Sequence, residues 1–233
     1  LKTVTIPASV TKIKEKAFMN CTNIEAVYAE SLESWLSIDF ASPESNPLYY
    51  GANLYIGGKL LDEVTLPETM SEFKNYTFYG YTNLKRINIT DNVKTLGINT
   101  FFNCDNADVY ADSIELWLSF DFKDGRSPMS LGKNLYIDGK PATKLIIPES
   151  VSIIPSFSLS YIKNLERVEV PATTKIGEKA FCCSGLKTAV IGTLPQGQTE
   201  PVMVIRNAGN WFSGCSGMEQ LIIGPGVSEI ASK

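Results

Sequence analysis

A ten-residue segment occurs seven times along the chain, and this self-similarity constrains the fold more than any other property of the sequence. LKTVTIPASV at Leu1 returns as LDEVTLPETM at Leu61, LKRINITDNV at Leu84, ATKLIIPESV at Ala142, LERVEVPATT at Leu165, LKTAVIGTLP at Leu186 and MEQLIIGPGV at Met218. Each copy opens with an apolar residue and two mostly polar ones. An apolar, a variable and an apolar residue follow, often before proline. Alternation at Val4 and Ile6 suits a short strand with one buried face, and Pro7 ends that strand because proline donates nothing to a ladder.

A second signature follows the first: KIKEKAFMNCTNI ending at Ile24, EFKNYTFYGYTNL ending at Leu84, TLGINTFFNCDNA ending at Ala107 and KIGEKAFCCSGL ending at Leu186. Together the two signatures give a period of 23 residues from Leu61 to Leu84 and from Leu84 to Ala107, with 21 from Leu165 to Leu186 and 32 from Leu186 to Met218. Ala17, Phe18 and Cys21 are spaced as in one turn of tight helix, after which the chain returns to the next strand. No such unit buries its face alone, so neighbours must stack. The expected fold class is therefore a repeat solenoid of short β-strands, loops and short helical turns, a single body over residues 1–233.

The repeat also explains residues that would otherwise invite chemistry. Cys21, Cys104 and Cys215 each lie three residues after a phenylalanine, and Tyr81 and Ile162 fill the same slot in other coils. A slot that accepts cysteine, tyrosine or isoleucine is a packing position. Cys182 and Cys183 are adjacent, which suits no structural zinc site, and only one of them is expected to point inward. Asn23, Asn83, Asn106 and Asn164 immediately precede the apolar residue that opens the next strand, where an amide side chain can hold a turn.

Three stretches depart from the period. VYAESLESWLSIDFASPESNPLYYGANLYIGGK from Val27 and VYADSIELWLSFDFKDGRSPMSLGKNLYIDGK from Val109 are two copies of one insert, bounded at 27–60 and 109–141. In each, a short amphipathic helix (SLESWLSI, SIELWLSF) precedes a hairpin that turns on Gly57-Gly58 or Asp138-Gly139. The third, about 194–211, reads as an extended surface loop. The aromatic residues Tyr28, Trp35, Phe40 and Tyr55 keep counterparts at Tyr110, Trp117, Phe122 and Tyr136, which points to a core formed by the insert itself. Tyr49 and Tyr50 differ, because the second copy is read as having Met129 and Ser130 there, and they are candidates for an exposed contact.

Catalytic and cofactor chemistry is not expected. The chain has no histidine, which removes the Ser-His-Asp and Cys-His nucleophile arrangements. No phosphate-cradling glycine motif is present, no metal or cofactor site is expected, and Asp39 and Asp121 are matched insert positions rather than a paired acid and base. Its 21 basic and 25 acidic residues are interspersed, so no basic stripe follows a phosphate backbone and nucleic acid is not an expected partner. No apolar run approaches the roughly 20 residues that span a bilayer.

What remains is surface. The variable slot between the last two inward residues of each strand carries Thr5, Thr65, Asn88, Ile146, Glu169, Val190 and Ile222 in successive coils. This column turns more apolar toward the C-terminus, which makes Ile146, Glu169, Val190 and Ile222 candidate partner-binding residues alongside Tyr49 and Tyr50.

The combined pattern, LxxVxIPxSVxxIxxxAFxxCxNL, resembles the BspA-type leucine-rich-repeat family of bacterial surface and secreted proteins, with the best matches at residues 1–24 and 168–186. The resemblance implies a right-handed solenoid, an extracellular or cell-surface setting and a non-catalytic protein-interaction or adhesion role. It also implies a protein or glycan ligand, such as a host matrix or cell-surface molecule. Architectural spacer repeats and a carbohydrate-binding surface are the alternatives. Because Leu1 and Lys233 both fall inside repeats, the chain is expected to be a piece of a longer protein.

Overall fold

A computed structural model of the chain describes residues 1–124, 126–129, 132–206 and 208–231. They form two compact units, the first made of residues 1–109 with 124–131 and the second of residues 110–123 with 132–233. Each unit is a stack of β-solenoid coils.

In the first unit the strands Thr3–Ile6, Ala26–Ala29 and Asn53–Ile56 lie parallel and in register. Lys59–Leu60 folds back antiparallel on the last of these. Its turn has Gly57 at φ 56° and Gly58 at φ 83°, the doubly positive backbone of a two-residue type I′ hairpin. Glu63–Thr65 pairs in parallel with Arg86–Ile89. Two-residue strands make the opposite leg of the coils, Lys12–Ile13 beside Asp39–Phe40 and Glu72–Phe73 beside Thr95–Leu96. The core between the legs holds Val27, Leu54, Val64, Ile87, Phe40 and Phe73, all essentially inaccessible.

The helix Leu32–Leu36 of this unit is only five residues long, and it persists because both its ends and its face are satisfied. Ser31 and Ser34 form a reciprocal capping box, with side-chain to backbone bonds of 3.1 and 3.2 Å. Trp35 and Leu36 are fully buried, and the Trp35 indole donates to the Thr77 carbonyl at 3.2 Å.

The second unit repeats this arrangement. Ser113 caps the helix Ile114–Leu118, Trp117 is fully buried, and the hairpin Leu135–Ile137 with Lys140–Pro141 turns on Asp138 (φ 49°) and Gly139 (φ 69°). Four parallel strands follow in one sheet: Lys144–Ile146, Arg167–Pro171, Thr188–Thr193 and Gln220–Ile223. Leu145, Val168 and Ala189 stand opposite one another on its inner face. The stretch read as a loop at 194–211 carries regular structure. Met203–Ile205 forms a strand against Val227–Ile230, and Ala208–Trp211 forms a helical turn. The period-2 burial of Met203 and Ile205 accounts for the strand, while Asn207, also within the stretch, lies outside the described residues.

The turn at the end of each coil has a specific backbone. Left-handed residues come in pairs four positions apart: Lys16 and Asn20, Tyr76 and Gly80, Asn99 and Asn103, Phe157 and Tyr161, Lys179 and Cys183. For residues other than glycine and asparagine this conformation costs about 1–2 kcal/mol each, which the stacked coils must offset. The slot shared by Cys104 and Cys215 does more than pack. Their thiols donate to the carbonyls of Phe78 (3.2 Å) and Phe181 (2.9 Å) in the preceding coil, and the Tyr81 hydroxyl reaches the Leu61 carbonyl from the same slot. Two of the four asparagines bond backbone as their position suggested, while Asn83 donates to the Asn53 side chain instead. Asn106 donates to the Thr82 carbonyl at 2.8 Å, and Asn164 both accepts from the Leu135 amide (3.0 Å) and donates to its carbonyl (2.8 Å). Among the described residues no helix is long and apolar enough to cross a membrane.

Candidate recognition face

The variable slot of a strand points outward where the residues on either side of it are buried, as Val168 and Val170 are around Glu169, whereas around Ile222 both neighbours, Leu221 and Ile223, are themselves exposed. In the second unit, Ile146, Glu169, Val190 and Ile222 form one row across the four-stranded sheet, so the structure brings together the four candidates from the repeat. Ile146 is 61% exposed and the other three are half-buried. The row is not uniformly apolar. Glu169 Oε1 lies 3.0 Å from both Lys144 Nζ and Arg167 Nε, and these two cations hold its carboxyl below the usual carboxylate range. A charged bracket thus separates Ile146 from Val190.

The first unit carries a different row. Thr5, Tyr28, Tyr55 and Leu60 are opposite one another across its sheet. The rings of Tyr28 and Tyr55 stack with centroids 5.0 Å apart and planes 18° apart, and Tyr28 and Leu60 are both exposed. In the second unit Tyr110 and Tyr136 form the matching stack at 4.3 Å and 9°. The eight matched aromatic residues therefore divide. Trp35, Phe40, Trp117 and Phe122 are core, as expected, whereas the four tyrosines lie on the strand surface. The signal for them was available, since Val27 and Ala29 are an inward pair and Tyr28 is the variable residue between them. The remaining outward pair, Thr65 and Asn88, is polar and self-satisfied. The Asn88 amide donates to Glu63 (2.7 Å) and Thr65 (2.8 Å) and its oxygen accepts from Arg86 (2.8 Å).

Tyr49 and Tyr50 lie elsewhere, on the turn side of the first unit. Tyr49 packs edge-on to Tyr50 at 4.8 Å and stacks on Tyr79 at 5.5 Å, and Tyr79 in turn stacks on Phe102 at 5.1 Å. The four rings are half-buried in a ladder crossing three turns, not separate exposed contacts. The Tyr50 oxygen also accepts from the Asn20 amide at 3.0 Å. Burial raises the pKa of the Tyr79 hydroxyl, with Tyr49, Glu44 and Tyr76 adding to the effect. Leu48 and Met129 are both fully buried behind buried prolines (Pro47, Pro128), so the two copies align there. Tyr49 then corresponds to Ser130, one residue from the expected match, and Ser130 lies outside the described residues.

The second unit also has an open cleft of about 560 Å³ between Lys175–Ile176 and Met203–Ile205. Trp211 lies in its wall, and Lys175 and Arg206 bring positive charge to it. Among the described residues, no group of three or more histidine, cysteine, aspartate or glutamate side chains converges to hold a metal.

The family model described as "BspA type Leucine rich repeat region" matches six copies, over residues 1–108 and 129–233. No curated protein matches the chain. Among solved structures, a leucine-rich cell surface protein from Faecalibacterium prausnitzii is similar at 16% identity and a TM-score of 0.44, over 96% of this chain and 79% of that one. A leucine-rich repeat protein from Eubacterium ventriosum is similar at 16% identity and 0.45, over 96% and 73%. One from Bacteroides ovatus is similar at 17% and 0.43, over 100% and 69%.

Proposed function

We propose that this chain, which belongs to the BspA-type leucine-rich-repeat family, is a non-catalytic recognition module of a cell-surface or secreted protein that holds a protein or glycan partner against the outward face of its strands. The observation that carries this reading is the stacked pair Tyr28 and Tyr55, repeated as Tyr110 and Tyr136. Tyrosine offers a large, rigid contact area with a polar tip, and it is enriched where proteins meet partners. Here two pairs stand on regular strands that fix their spacing, so little ordering is left to do on binding. The surface setting is drawn from the family.

A second reading, repeats that serve as an architectural spacer, draws on the ion pairs of the same face. Lys2 with Glu25, Lys85 with Asp62 and Lys187 with Glu166 satisfy one another between neighbouring coils. Exposed pairs of this kind add little stability, and each ties one cation to one anion across a coil boundary.

The chain would be tested against immobilised matrix proteins and a glycan panel, beside a Tyr28→Ser/Tyr55→Ser variant shown by circular dichroism to be folded. Saturable binding weakened about tenfold or more in the variant, a loss of ~1.4 kcal/mol, supports recognition through the strand face. Binding that survives the substitutions moves the contact elsewhere, and absence of binding favours the spacer.

A further inference from the structure

The second left-handed position of each turn takes asparagine or glycine at Asn20, Gly80 and Asn103 in the first unit and at Gly214 in the second. These are the residues that adopt positive φ most readily. Tyr161 (φ 59°) and Cys183 (φ 54°), in consecutive coils of the second unit, break that rule. Backbone strain of this kind persists where surrounding structure holds it and clusters at sites with a use.

The consequence at Cys183 is chemical. Its sulfur stands 3.3 Å from that of Cys182, with Cys182 buried and Cys183 exposed. The neighbouring coil makes room, since a Cβ on Gly214 would fall 2.6 Å from the Cys183 sulfur. The other three thiols are placed differently: Cys104 and Cys215 are buried against carbonyl acceptors, and Cys21 is half-buried.

We propose that Cys182 and Cys183 are a reversible dithiol–disulfide site, oxidised by exchange with a low-molecular-weight disulfide. The exposed Cys183, as thiolate, attacks one sulfur of the small disulfide. A mixed disulfide forms and one small thiol leaves with the proton. Cys182 then attacks the Cys183 sulfur, the second small thiol leaves, and a bond joins the two cysteine sulfurs. The protein has lost two electrons and two protons, and the small disulfide has gained them as two thiols. Exposure assigns the first attack to Cys183, since Cys182 is buried; burial, followed by the neighbouring Cys183, also pushes the Cys182 thiol up to about 11.

The same geometry makes the disulfide easy to reduce. Adjacent Cα atoms stand about 3.8 Å apart across a trans peptide, short of the ~4.4–6.8 Å that disulfides ordinarily span. The connecting peptide is also held from both sides: its carbonyl accepts from the Tyr161 amide at 2.9 Å, and its N–H donates to the Ser213 carbonyl at 2.9 Å. Closing the ring twists this peptide and weakens both rungs, so oxidation loosens the stacking of three coils.

The test treats the full chain with glutathione disulfide and follows intact mass, peptide mapping and free thiols. The expected product is two hydrogens lighter, with free thiols falling from five to three and the change mapped to the Cys182–Cys183 peptide. Dithiothreitol restores the starting mass, and the oxidised form melts several degrees lower. Cys182→Ser should stop at the glutathione adduct on residue 183. A wild-type protein that also stops at the adduct, that oxidises at other cysteines, or that stays fully reduced overturns the proposal, and none of these outcomes depends on a variant folding.

Discussion

Trp117 is wholly buried and still donates its indole N–H to the Ser158 carbonyl at 2.8 Å. Trp35 does the same to the Thr77 carbonyl in the first unit. The Thr77 carbonyl also accepts from the Asn46 side-chain amide at 3.0 Å, so the two tryptophans carry unequal shares of the work. Replacing Trp117 with phenylalanine keeps most of the apolar volume but leaves the Ser158 carbonyl unpaired. The expected loss is about 1–3 kcal/mol beyond the change in volume, read as a lower urea midpoint, and Trp35→Phe should cost less, because the Thr77 carbonyl keeps its bond from the Asn46 amide.

Coil spacing sets a second expectation. A Cβ on Gly97 would meet the Asn75 amide nitrogen at 2.5 Å, and one on Gly177 would meet that of Ser156 at 2.5 Å. Neither glycine has the positive φ that alanine resists, so Gly97→Ala and Gly177→Ala test close approach alone. Each should destabilise its unit by about 1–3 kcal/mol through overpacking. Gly217→Ala, whose Cβ would meet nothing nearer than 3.9 Å, should be close to neutral.

Alkaline titration should expose Tyr81. Burial pushes its hydroxyl up to about 12 from an ordinary value near 10. The folded state therefore keeps the proton longer than the unfolded state does. Stability from this group is complete below pH 10 and is lost as the pH rises toward 12. Thermal melts of wild type and Tyr81→Phe should differ at neutral pH, where the variant lacks the bond to the Leu61 carbonyl, and converge as the pH climbs.

Glu169 offers the opposite sign. Lys144 and Arg167 hold its carboxyl below the ordinary range, so its contribution is present at neutral pH and fades as the pH falls through that lowered value. The pairs are solvent-accessible, and Glu169→Gln should cost no more than about 1 kcal/mol. If the row from Ile146 to Ile222 contacts a partner, the same variant should change affinity and its salt dependence while the melting curve hardly moves.

The coil was legible in the sequence because its signals are local: alternation at Val4 and Ile6, proline after the strand, and a fixed return distance. The helix and hairpin of each insert were legible for the same reason, through the spacing of apolar residues around Trp35 and the Gly57-Gly58 turn. The outward tyrosines were missed because conserved spacing between two copies says that a residue is placed, not which way it faces. Tyr28 and Trp35 share that spacing, and only the inward pair Val27 and Ala29 separates them. The dithiol was missed for a different reason. Its two sulfurs meet because of the backbone sign at Cys183, which the stacked coils impose and no neighbouring residue announces.

The register of the strands has a consequence for how a partner meets the molecule. Twenty-three residues of chain separate Thr65 from Asn88, yet across the ladder they stand one strand apart, a step of about 4.8 Å. Each coil thus converts a long stretch of sequence into a single mark on a ruler. The mark can be rewritten without disturbing the scale, since the side chains that set the step face the other way.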